Sequence, residues 1–202
     1  MKKPVFGLVF CLVFFFSLWA LAMDEAAAAS LPDKVIRLHV LAASDSEADQ
    51  TRKLAVRDAV LALVTPALEG SADRAEALAR VRAILPEVES AALETLRGLG
   101  SSESVTVTLS EEPYPVRSYD TFALPADTYE SLRVSIGPAE GHNWWCVVFP
   151  PLCLAAAEED GDEDGAWAVF SPEERALITG EGRVLRLKAL EWWQKLQSLL
   201  KK

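Results

Sequence analysis

Two of the chain's three cysteines, Cys146 and Cys153, and its two histidines are the residues beyond the apolar N-terminal run whose types could do covalent chemistry. Cys146 could act as a nucleophile with His39 or His142 as its base, which would make the protein an exported thiol hydrolase. Cys146, however, lies inside the apolar run Trp144 to Phe149 and lacks the small-residue turn that presents a nucleophile. The plainer reading makes it half of a cystine, with the histidines in structural hydrogen bonds. The sequence holds no Gly-rich phosphate loop, no His-Glu-x-x-His helix and no Gly-x-Ser-x-Gly elbow. The acidic stretch 158–165 invites a calcium reading, but an EF-hand needs flanking helices and a closing glutamate that are not in place. No catalytic, cofactor-binding or metal-ligating residue is therefore assigned, and no cofactor is expected.

What stands out instead is a set of polar and aromatic residues suited to binding a partner. Arg37 and His39 sit in one short apolar segment, and Ser44, Asp45 and Ser46 in the turn after it. Arg57 and Asp58 flank an apolar stripe, where an internal ion pair is as good an account as an interface. Arg117 stands alone in a later segment. Asn143, Trp144, Trp145, Phe149, Pro150 and Pro151 crowd into one stretch. One tryptophan of an adjacent pair on a strand faces inward and the other outward, and an outward tryptophan is an interface anchor.

These residues need a scaffold. Val35 to Val40 reads as a strand, and Asp45 or Ser46 caps a helix running to about Leu68, with Val56, Ala59, Val60, Leu63 and Ala67 as its stripe. Asp73 with Glu76 opens a second helix. Pro86 kinks it or opens a third, ended by Gly98 or Gly100. Ser104 to Leu109 alternates as a strand, followed by a turn or connector at 111–115 and an extended piece near Val116 to Tyr119. Leu132 to Ile136 and Trp144 to Phe149 are further strands. Ser171 caps a short helix, and Arg183 to Lys202 is a basic amphipathic helix. Strands and helices in separate blocks predict a single α+β domain with a mainly antiparallel sheet covered by helices.

Lys2 and Lys3 precede an uncharged apolar run to Ala22 that ends in small residues. This is the order of a signal peptide over 1–22, with an uncleaved anchor as the alternative. A linker over 23–32 and an exported domain over 33–202 follow. The chain has 30 acidic and 20 basic residues, a formal charge of −10. Without residues 1–22 the charge is −12, which excludes a cationic nucleic-acid face and leaves the N-terminal segment as the expected membrane contact. Export makes a Cys146–Cys153 disulfide the default, with the bend at Pro150-Pro151 bringing its ends together. Two buried, unpaired thiols are the alternative.

The segment Ile36-Arg37-Leu38-His39-Val40-Leu41-Ala42-Ala43-Ser44-Asp45-Ser46, with Asp49-Gln50, Lys53-Leu54 and Val56-Arg57-Asp58-Ala59-Val60, resembles the start of the stage II sporulation protein R family. Tyr114-Pro115-Val116-Arg117, Leu124 to Tyr129 and the block from Gly141-His142-Asn143-Trp144-Trp145-Cys146 to Pro150-Pro151-Leu152-Cys153 resemble its later motifs. His142 and Asp127 stand where the family often carries Gln and Gly. The resemblance implies a non-enzymatic signal, exported from the forespore into the space between its membrane and that of the mother cell. Its partner there is a membrane-embedded aspartic peptidase, which it activates to remove the pro-sequence of the sigma-E factor.

Overall fold

The structure is a computed structural model, and residues 22–152, 166–180 and 183–200 are described. Two compact units divide the chain. The larger comprises residues 32–113 and 128–169, the smaller residues up to 31, 114–127 and 170–202.

The larger unit is built on a four-stranded sheet. Its strands are β1 (Ile36–Leu41), β2 (Val105–Tyr114), β5 (Asp127–Ile136) and β6 (Asn143–Phe149), in the order β2-β5-β1-β6. β1 pairs with β6 antiparallel and with β5 parallel, so the expected sheet includes one parallel pairing at its centre. At the far end, the Gly137 N–H donates to the Ser104 carbonyl at 2.8 Å, tying the exit of β5 to the approach to β2 in an antiparallel sense. All six residues of β1 are buried, as a central strand requires. β2 runs five residues beyond the expected strand, through Pro113. A proline is tolerated there because β2 is an edge strand and has a side without ladder bonds.

Three helices, α2 (Glu47–Leu68), α3 (Arg74–Ala83) and α4 (Leu85–Gly98), follow β1 in the chain. Their starts follow from sequence. Ser46 accepts from the Asp49 N–H, Asp73 accepts from the Glu76 N–H, and Pro86 stands in the first turn of α4, where its missing N–H costs no helical bond. Val56, Val60, Val64 and Leu68 of α2 are buried with Val81 of α3 and Val88, Ala92 and Leu96 of α4. These meet Ile36, Leu38 and Val40 of β1, Leu132, Val134 and Ile136 of β5, and Cys146 and Val148 of β6 in one apolar core. Each of the valines, leucines and isoleucines contributes about 1.5–3 kcal/mol on leaving water. Alternation then fixes what lies on the other face of the sheet: Arg37, His39, Ser131, Arg133 and Trp145.

The smaller unit holds a helix over residues 22–30, here called α1, where the sequence suggested a linker. It also holds the short pair β3 (Arg117–Ser118) and β4 (Ala123–Leu124), then α5 (Pro172–Thr179) and α6 (Arg183–Leu200). α5 carries a full capping box, Ser171 with Glu174. α5 and α6 pack on each other and on β4, burying Leu124, Leu177, Ile178, Leu187 and Leu190. Glu174, itself buried, accepts a hydrogen bond from Ser30, and Arg186 binds Asp24 at 3.2 Å. None of the described helices is long and apolar enough to cross a membrane.

Candidate partner-binding surface

The turn after β1 and the loop that crosses from β5 over β1 to β6 meet in one cluster. The Gly141 N–H donates to the Ala42 carbonyl at 3.0 Å and the Glu140 N–H to Ala43 at 3.3 Å. Gly141 is required at this closeness, since a Cβ there would lie 2.2 Å from the Ser44 carbonyl oxygen. Asp45 caps the arrangement by accepting the His142 N–H at 2.6 Å and a contact from the His142 ring. Those bonds, the backbone one foremost, hold its carboxyl below the usual carboxylate range. Ser44 Oγ donates to Asp49 Oδ2 at 2.6 Å, and Gln50 Nε2 donates to the Ser44 carbonyl at 2.9 Å.

Lys53 completes the link from beneath. Its side chain is buried and donates to Gln50 at 2.6 Å and to the His142 carbonyl at 3.1 Å. Burial, reinforced by the nearby Arg57, pushes its ammonium down from the usual lysine range. Asp49, Gln50 and Lys53 were not singled out as site residues. The available signal was helical spacing: residues 49, 50 and 53 share the first turns of α2 that abut the Ser44–Ser46 turn.

Trp144 and Trp145 do alternate, Trp144 toward the helices and Trp145 toward the opposite face, but both are half-buried. The Arg57 guanidinium lies 4.9 Å from the Trp144 ring centre while its Nε donates to Asp58 at 2.8 Å. Trp145 stacks on the His39 ring, centroids 3.7 Å apart. His39 Nδ1 faces Glu112 at 3.3 Å, and Arg133 donates to the same carboxylate at 2.9 Å. Burial dominates at His39 and pushes its pKa below the usual 6.5 against the pull of Glu112. At Glu112 burial pushes up, but the bonds from Arg133, Ser131 and His39 together outweigh it and hold the carboxyl low. Asn143 lies near enough to His39 to pull its pKa upward and neighbours His142 in the chain, so it joins the two clusters.

Of the sequence-derived candidates, Ser44, Asp45, Ser46, Arg57, Asp58, Asn143, Trp144 and Trp145 come together around this turn and loop. Arg37, His39, Phe149 and Pro150 are buried; Arg37 places its guanidinium 5.0 Å from the Tyr129 ring centre. Pro151 is exposed just past β6, and Arg117 belongs to β3 in the smaller unit. On the next flank of α2 lies an open depression of about 430 Å³ lined by Glu47, Ala48, Thr51, Arg52 and Leu99.

The hydrolase couple is not assembled. Cys146 is buried in the helix-side core opposite Leu38, while His39 points from the other face of the sheet and the His142 ring is engaged by Asp45. Cys153, the other half of the expected bridge, and the acidic loop 158–165 lie outside the described residues. Among the described residues no cluster of His, Cys, Asp and Glu could hold a metal ion.

A sequence profile described as stage II sporulation protein R matches residues 32–159, a stretch that includes the turn, the β5–β6 loop and the sheet beneath them. The chain belongs to the stage II sporulation protein R family. It is 37% identical over 164 residues to the stage II sporulation protein R of Bacillus subtilis strain 168, an alignment covering 76% of this chain and 72% of that protein. No solved structure matches the chain. Family membership brings a role in sporulation, and it spans the whole platform described above while stopping short of α5 and α6.

Proposed function

We propose that this sporulation protein is a signal exported from the forespore, which binds the extracytoplasmic part of a membrane-embedded aspartic peptidase and switches it on to process pro-sigma-E. The observation that carries the reading is the family match over residues 32–159, whose later motif block builds the braced β5–β6 loop. Its charged and aromatic groups are arranged for contact: Asp45, His142 and Asn143 are exposed, Arg57 and Trp144 half-exposed, and all are held by hydrogen bonds or stacking. A preformed surface of this kind loses little freedom on binding. A ligand activates only by preferring the active state, and a shift from 1:99 to 99:1 takes about 5.5 kcal/mol of differential affinity.

The chemistry belongs to the partner in this reading. The chain supplies binding energy through the turn Ser44–Ser46 and the tryptophan pair. Trp144→Ala, Trp145→Ala and the exposed Asp45→Lys should each lower pro-sequence removal several-fold in cells that also make the peptidase and its substrate. Asp45→Lys leaves the core untouched. If all three variants are folded, exported and as active as the parent, the contact surface lies elsewhere.

A further inference from the structure

α6 lies outside the segment that the family profile matches, and it has two apolar sides. One side, with Leu187 and Leu190, is buried on α5 and β4. The other presents Leu185, Trp192 and Leu199, which are 75%, 66% and 65% exposed. They recur every seven residues. At about 100° per residue that spacing drifts by only about 20° per step, so the three form a single stripe along the helix. Lys188 and Lys195, also seven apart and exposed, run alongside on one flank. By sequence α6 carries Arg183, Arg186, Lys188 and Lys195 against Glu191, with Lys201 and Lys202 following, in a chain that is otherwise strongly acidic.

We propose that this stripe is a docking face for an anionic lipid bilayer, on which α6 lies flat. Three features select lipid over a second copy of the chain. A coiled-coil seam wants small or branched side chains in two alternating positions, and a bulky tryptophan at the centre of a single row does not fit a hole in a facing helix. Tryptophan is instead a residue of the membrane interface, with an apolar body and a polar edge, and flanking lysines reach out to headgroups while their stems stay apolar. The charge is locally complementary as well. The net negative charge of the chain does not cancel it, because at physiological salt only charges within about 8 Å count. Nor does the pairing of Arg186 with Asp24 consume it, since Lys188 and Lys195 lie on the other flank.

This contact is separate from any made by the apolar N-terminal run, and it would hold the molecule against the membrane surface in which the proposed partner is embedded. The test is hydrogen exchange of the full chain, read peptide by peptide, with vesicles of phosphatidylcholine alone or mixed with phosphatidylglycerol. Peptides from residues 183–200 should exchange more slowly with the anionic vesicles, while the N-terminal peptide serves as an internal control. Lys188→Gln with Lys195→Gln should weaken this docking by roughly 30-fold, and high salt should do the same. Leu185→Ser with Trp192→Ser and Leu199→Ser should abolish it. Because Leu187 and Leu190 are untouched, both variants keep the packed side of the helix. Unchanged exchange over 183–200 overturns the proposal, as does equal slowing with phosphatidylcholine alone. Slowing that follows protein concentration without vesicles assigns the face to a second copy and overturns it too.

Discussion

Gly141 has no room for a side chain. An added methyl would lie 2.2 Å from the Ser44 carbonyl oxygen and 3.0 Å from the Ala42 Cβ, so either the β5–β6 loop or the turn must move. Gly141→Ala should lower stability by about 1–3 kcal/mol, read from the denaturant midpoint, because the obstacle is backbone that cannot rotate away. Its effect on signalling should exceed its effect on stability, since the displaced atoms carry Asp45 and His142. Glycine at this point was legible only as part of a motif. Its physical reason is the close approach of two loops separated by nearly 100 positions, which no local pattern displays.

At the level of the elements, the sheet has an apolar face and a polar one, and the polar one responds to pH. His39 is held below its usual 6.5 and Glu112 below its usual 4.5. For both, the unfolded chain takes up a proton at a higher pH than the folded one, so stability falls with falling pH: first below about 6.5 through His39, then below about 4.5 through Glu112. His39→Gln should remove the first of these losses and keep the larger part of the second, which rests chiefly on Arg133 and Ser131, as thermal unfolding followed from pH 7.5 to 4 would show. An unchanged slope between pH 7 and 5.5 would mean that the imidazole is not the group responsible. The sequence alternation of Val105, Val107 and Leu109 and the helix caps Ser46 and Asp73 made the elements readable, because those signals act within a few residues. The union of Glu112 with His39 and Arg133 was not readable, because it depends on the order β2-β5-β1-β6 and on one parallel pairing that brings distant strands together. Residues 22–30, most of which fall in the expected linker over 23–32, are helical: the alanine-rich segment has a high intrinsic preference for helix, and burial of Ala27 and Ala28 adds packing to it.

For the molecule as a whole, charge and export carry the remaining expectations. Six acidic groups fall in the eight residues 158–165, so half of the −12 belongs to one short segment and the rest of the exported part is only moderately acidic. If the protein matures in an oxidising space, Cys146 and Cys153 should be bridged. The denatured full chain, which has three cysteines, should then titrate one thiol without reductant and three with it. Equal counts would remove the bridge and weaken the case for export. The most direct test of the central claim is to produce this chain with its candidate peptidase and pro-sigma factor in a host that does not sporulate, and to score removal of the pro-sequence. Processing that requires the chain and disappears when its export segment is deleted is the expected result. Processing that is as complete without the chain, or absent although the chain is folded and exported beside the peptidase, would contradict the account.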